Sequence, residues 1–164
     1  MKAAVFDLDG VLFNVNERLR KCLSEVGASS VEEMSKEQRR QFWKIFLSTK
    51  YMHLDKPNKE LINYISELKS KGIRIIIITG RREDTQKEYT LKQLKEAGIS
   101  FDEIYFRPAN YFRKDYEFKA EVVEKLIEKG YEIVEFWDDS ERVVEKMKKV
   151  LRGAKIVHYI IVSG

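Results

Sequence analysis

Five short apolar runs, Lys2–Leu8, Ile73–Thr79, Glu103–Phe106, Ile133–Trp137 and Lys155–Val162, alternate with segments of helical length and periodicity. This alternation constrains the fold more than any other feature. Strands joined through helices lie parallel, and a parallel sheet needs helices on both faces. A helix over Pro57–Ser70 carries Leu61, Ile65 and Leu68 on one stripe and closes at Gly72; a second over Glu83–Ala97 closes at Gly98, and a third over about Glu117–Lys129 closes at Gly130. The pattern predicts an α/β fold: a Rossmann-like parallel sheet of about five strands flanked by helices. The 164 residues suffice for one core of ordinary size, so residues 1–164 are expected to form a single domain. The exception to the alternation is 14–56, where about two helices follow the first strand. That helical insertion is a candidate lid.

Composition excludes several classes. With one cysteine, Cys22, the chain has no internal disulfide and no multi-cysteine zinc site. Leu19 and Leu23 beside it make Cys22 a buried helix residue. The longest apolar run, Ile75–Ile78, is far too short to cross a bilayer, and the expectation is a soluble, cytoplasmic protein with no membrane partner. Charged residues make up 35% of the chain, mostly Lys and Glu, which suits the surface ion-pair networks of a thermophile as well as any charged partner. The net charge of +4 is only a slight bias toward polyanions. His53 and His158 have no partner pattern and receive no role.

In open parallel sheets, ligands bind beyond the carboxyl ends of the strands. The first strand ends in Asp7-Leu8-Asp9-Gly10. Residues i and i+2 of a strand point the same way, so two like charges converge at its tip and need a cation, a shared proton or solvent. A hard, oxygen-seeking ion such as Mg²⁺ meets that need. The second strand ends in Thr79-Gly80-Arg81, a hydroxyl, a glycine and a cation suited to a phosphate at a helix N-terminus. The third ends at Arg107, and the fourth delivers a second acidic pair, Asp138-Asp139, before Ser140.

The combination resembles the haloacid dehalogenase superfamily of phosphotransferases. Asp7 and Asp9 match its first motif, Thr79 its second, Lys119 its third and Asp138 with Asp139 its fourth. From Thr79 onward the chain is similar to the 3′-phosphatase domain of polynucleotide kinase-phosphatases, through Thr79, Arg81, Arg107, Arg113-Lys114-Asp115 and Lys119. Two departures stand out. No Gly-x-x-x-x-Gly-Lys-Ser/Thr loop is present for a kinase half, and Val11 stands where many superfamily phosphatases carry threonine.

The resemblance implies a Mg²⁺-dependent phosphomonoester hydrolase. Asp7 would be the nucleophile, forming an aspartyl-phosphate, and Asp9 the acid and base. Asp7, Asp138, Asp139 and the backbone carbonyl of Asp9 would surround the metal, while Thr79 and Lys119 would bind the phosphoryl oxygens. Gly80, Arg81, Arg107, Arg113 and Asp115 would serve substrate binding, the arginines as a cationic rim for a second phosphate of a nucleic-acid end. In the insertion, Arg39, Arg40, Lys44 and Lys50 interleave with Phe42, Trp43, Phe46 and Tyr51, a set that either seats a single strand or packs the lid. Two alternatives stay open: a phosphatase of a small metabolite such as a nucleotide or sugar phosphate, and a receiver-like module that binds phosphate without turnover.

Overall fold

A computed structural model describes residues 1–161. Strands β1 (Lys2–Phe6), β4 (Arg74–Arg82), β5 (Glu103–Arg107), β6 (Glu132–Asp138) and β7 (Lys155–His158) form one sheet in the order β5-β4-β1-β6-β7, and every pairing in it is parallel. Counting only these five strands in chain order, the arrangement is 3-2-1-4-5. Receiver domains follow the other doubly wound order, 2-1-3-4-5, so the receiver alternative is set aside. The direction of winding reverses beside β1, which places the crevice at the ends of β1 and β6.

Alternation along the strands fills both faces. Ala3, Val5, Ile76 and Ile78 point into one core, where α5 (Asp115–Glu128) contributes Phe118, Val122 and Leu126 and α6 (Glu141–Val150) contributes Val143 and Met147. Ala4, Phe6, Ile75 and Ile77 point into the other, covered by Leu61, Ile65 and Leu68 of α3 (Lys59–Ser70) and Leu94 of α4 (Glu83–Glu96). Apolar residues on both faces are the mark of a parallel sheet between helical layers.

Several boundaries differ from expectation. Helix α3 starts at Lys59 because Pro57 is spent in β3 (Lys56–Pro57), opposite Phe13 of β2 (Phe13–Asn14). Helix α5 starts at Asp115, two residues early, because Glu117 is its third residue and accepts the Lys114 N–H at 3.0 Å. Strand β7 stops at His158. Tyr159 turns its ring onto Trp137 with 5.7 Å between centroids, and Val162, where the strand was expected to end, lies outside the described residues.

The chain leaves the core at Asn14 and returns at Lys56, and these two residues face each other in the antiparallel β2–β3 pair. Between them, α1 (Asn16–Glu25) and α2 (Lys36–Phe46) enclose a separate small core of Cys22, Leu23, Val26, Met34 and Phe42. Helix α4 binds this unit through polar side chains: Thr85 donates to the Leu47 carbonyl at 2.7 Å, Gln86 to that of Phe46 at 3.2 Å and Gln93 to that of Met52 at 2.7 Å. Swinging the unit outward would exchange these bonds for bonds to water, at a net cost of about 0.5–1.5 kcal/mol each. It is built as a docked wall. Because its apolar core is its own, Phe42→Ala should speed amide hydrogen exchange in α1 and α2 and leave β1, β4 and β6 protected. Equal loss of protection across the sheet would instead mean that the two cores unfold as one unit.

Candidate active site

Asp7 follows β1 directly and is anchored by its backbone, its N–H donating to the Trp137 carbonyl at 3.0 Å. The next turn folds tightly, with the N–H groups of Val11, Leu12 and Phe13 all directed to the Leu8 carbonyl. Gly10 sits in it at φ +83°, and a Cβ there would lie 2.3 Å from Asp139 Oδ2, so both conformation and space demand glycine. Val11 is wholly buried in the α3–α4 core.

Oxygens of Asp7, Asp138 and Asp139 lie within 4.8 Å of one another. Their main counter-charge is Lys119, buried on α5, whose Nζ is 2.7 Å from Asp138, 3.1 Å from Asp7 and 3.4 Å from Asp115. One lysine among four carboxylates leaves the acids in excess. Burial and then the Asp138 charge push the Asp7 carboxyl well above the usual carboxylate range; the same two causes push Asp139 up to about 6. Lys119 shifts upward despite its burial, because Asp138, Asp7 and Asp115 surround it. A divalent cation would relieve this repulsion, and three convergent hard oxygen ligands fit Mg²⁺.

Asp9 belongs to a different arrangement. Among the described residues its ion pairs fall on one oxygen, Oδ1. Arg81 reaches that atom with Nε at 2.9 Å and Nη2 at 2.7 Å, and Arg18 with Nη2 at 3.0 Å. Both guanidiniums are in turn gripped by Asp55, whose Oδ1 takes Arg18 Nε at 3.0 Å and whose Oδ2 takes Arg81 Nη2 at 3.1 Å. Although burial opposes it, the charges of Arg81 and Arg18 hold Asp9 below the usual carboxylate range.

This overturns one expectation. Arg81 is not part of an open rim: it is 1% exposed, and its remaining donors go to Thr90 at 3.0 Å and Gln93 at 2.7 Å. Burial in a parallel fold requires its charge to be paired, and Asp9 and Asp55 do so. Arg107 donates to the carbonyls of Tyr111 and Arg113 and stacks over the Tyr111 ring at 5.1 Å, while Arg113 pairs with Glu117 at 3.4 Å and Glu121 at 2.5 Å. Both shape the loop after β5 more than they offer free cations. Arg18 and Asp55 escaped the sequence reading altogether. A buried arginine in the insertion looks like any other lid charge until the fold brings it against Asp9.

Thr79 is buried at the end of β4 and accepts the Arg81 N–H at 3.1 Å, bending the strand where its pairing with β5 becomes irregular. Gly80 leaves room for Asp115, whose Oδ1 would lie 3.0 Å from a Cβ at that position. Asp7, Asp9, Thr79, Gly80, Arg81, Arg107, Arg113, Asp115, Lys119 and Asp139 all face one cleft of about 890 Å³, walled by Trp43, Phe46 and Leu47 of the insertion and by Tyr111 and Phe112 of the loop after β5. Asp138 lies beneath it. No described helix is long and apolar enough to cross a membrane.

Against solved structures, the protein superposes on a chain of the Pnkp1/Rnl/Hen1 complex with a TM-score of 0.71 at 22% identity, covering 98% of this chain and 47% of that one. A second chain, from the Pnkp1/Rnl/Hen1 RNA repair complex, matches with the same TM-score at 23% identity, over 98% and 43%. The protein thus spans less than half the length of these two. A haloacid dehalogenase-like hydrolase from Streptococcus pneumoniae gives 0.68 at 19% identity, over 94% and 82%. These likenesses establish the fold. A search of curated proteins found no match in sequence. The family model of the polynucleotide kinase PNKP phosphatase domain matches residues 33–157, well over half of the chain. The chain belongs to that family of phosphatases, within the haloacid dehalogenase superfamily.

Proposed function

We propose that the protein hydrolyses phosphomonoesters through an aspartyl-phosphate on Asp7, with the 3′-phosphate of a polynucleotide as substrate. The observation that carries the reading is the division of the acids: Asp7 stands with Asp138, Asp139 and Lys119, while Asp9 is held apart by two arginines. A cation held by the three clustered acids would return the raised Asp7 carboxyl to its charged, nucleophilic form, while the two arginines fix the orientation of Asp9 beside it.

Asp7, Asp138 and Asp139, with the backbone carbonyl of Asp9, would hold Mg²⁺. When bound, the ion offsets the charge of the nucleophile and of the phosphate it approaches. Asp7 attacks phosphorus in line, and the P–O bond to the leaving group breaks. Asp9 delivers a proton to that oxygen, then takes one from the water that cleaves the acyl phosphate. With Oδ1 fixed by Arg18 and Arg81, Oδ2 is the atom left for the proton. Thr79 and Lys119 bind the equatorial oxygens, each well-placed donor contributing about 3–4 kcal/mol by analogy with oxyanion holes.

The polynucleotide substrate is supported by the family, by a cleft large enough for a nucleotide, and by aromatic walls on which a base can stack, Trp43 at 46% exposure and Phe112 at 90%. Asp7→Asn should abolish turnover of an aryl phosphate with the fold intact, and Asp138→Ala should raise the Mg²⁺ needed for half-maximal rate about tenfold or more. Wild-type turnover by the first variant, or an unchanged metal titration of the second, would remove that residue from its role.

Asp55→Asn separates the acid from the nucleophile. It should slow hydrolysis of an alkyl phosphate about tenfold or more, a part of the roughly 10²–10⁴-fold that general acid catalysis supplies, yet spare the initial p-nitrophenol burst from p-nitrophenyl phosphate, whose leaving group departs without a proton. Equal losses on both would place Asp55 in the fold alone. For the substrate, kcat/KM should favour a 3′-phosphorylated oligonucleotide over its 5′-phosphorylated counterpart and over a panel of sugar phosphates and nucleotides. Equal or better turnover of a small metabolite would assign the site to that class instead.

A further inference from the structure

The engagement of Arg81, Arg107 and Arg113 leaves Lys114 as the one cleft cation outside an ion pair among the described residues, too little to seat the strand behind a phosphorylated end. A second groove supplies a cationic seat. It measures about 520 Å³ and lies between α5 and α6, lined by Tyr116, Glu141, Arg142, Glu145, Lys146 and Lys149. Its upper end adjoins the active site, because Tyr116 follows Asp115 and Glu141 follows Asp139 and Ser140, and Asp115 and Asp139 line the cleft. From there it descends along α6.

Arg142, Lys146 and Lys149 are spaced i, i+4 and i+7, on one face of the helix. They extend over roughly 11 Å at 1.5 Å per residue, a span of two to three nucleotides. Among the described residues none of the three is in an ion pair, and Glu145 is taken by Lys148 at 3.6 Å. At the cleft mouth Arg82 pairs with Asp84 at 2.7 Å and Arg113 with Glu121 at 2.5 Å, and of the described cations lining the cleft only Lys114 is outside an ion pair. Tyr116 is half-buried at the top of the groove, where a base leaving the cleft would meet its ring.

We infer that the α5–α6 groove is the track of the single strand 5′ to the phosphorylated end, with Arg142, Lys146 and Lys149 contacting successive phosphates and Tyr116 stacking on a base. This rests on the polynucleotide reading of the active site. Glu141 and Glu145 oppose the phosphates and set an upper limit on affinity, which suits an enzyme that must release its product.

The test combines binding and turnover. In an Asp7→Asn background, the affinity of a fluorescent ten-nucleotide 3′-phosphorylated strand is measured by anisotropy across 50–200 mM salt. Adding Arg142→Ala, Lys146→Ala and Lys149→Ala should flatten the slope of log K against log salt by about 2, three single-strand phosphate contacts at roughly 0.7 each. The same triple change in the active enzyme should erase a preference for the ten-nucleotide strand over a 3′-phosphorylated dinucleotide and leave p-nitrophenyl phosphate turnover unchanged. Glu141→Gln with Glu145→Gln should act in the opposite sense and tighten binding. An unchanged slope and length preference, in an enzyme that does favour 3′-phosphorylated strands, overturns the groove and leaves the substrate assignment standing. If the wild type shows no such favour, the substrate assignment fails, and the groove with it.

Discussion

Carboxylates delivered to one edge of a sheet repel one another, and where the fold buries them, as it does Asp7 and Asp138, that repulsion is costly. Asp7, Asp9, Asp138 and Asp139 all arrive at the ends of β1 and β6, where the winding of the sheet reverses. The structure meets the problem by giving the acids different neighbours. Asp7, Asp138 and Asp139 share a single buried lysine and remain in excess, which suits them to a cation. Asp9 is met by two arginines, and those by Asp55, so the second group is closed and neutral without any ion. Asp7 and Asp9, two residues apart just beyond β1, thereby acquire opposite electrostatic surroundings.

The insertion is tied to this division. Arg18 lies on α1 and Asp55 at the point where the chain re-enters the core, so half of the Asp9 arrangement belongs to the insertion. Arg18 also donates to the Phe46 carbonyl at 3.1 Å and stacks over the Phe46 ring at 4.3 Å, linking the wall of the cleft to the acid beneath it. On the core side, α4 presents buried Gln86 and Thr90 where most helices of such a fold present apolar side chains. Polar contacts of this kind specify position, because any other docking leaves donors and acceptors unpaired. A segment read in the sequence as a candidate lid is thus also a support for the Asp9 carboxylate.

Much of this was present in the sequence and some of it was not. The strand-helix alternation, the acidic tips and Thr79 were legible because they depend on local periodicity and on the rule that parallel strands present their carboxyl ends to ligands. Arg81 was legible as important and misread in its role. A cation after a Thr-Gly turn looks the same in sequence whether it faces a phosphate or an aspartate, and only its burial distinguishes the two. Trp43 and Phe42 are neighbours in the same aromatic run, yet one stands at the cleft and the other fills the insertion's core.

By itself the sequence determined the class of fold, the order of its elements and which strand ends carry the acids and Thr79, since each follows from patterns a few residues long. The tertiary structure alone decided which charges meet. Arg18, Asp55, Asp9 and Arg81 come from the insertion, its return leg, the first strand's turn and the end of β4, and no local pattern relates them. Their pairing is set by the docking of one unit on another, and electrostatic partners in a buried site are a property of distance in space. The same holds for the groove along α6, whose three cations read in sequence as an ordinary solvated helix face until α5 is packed beside it.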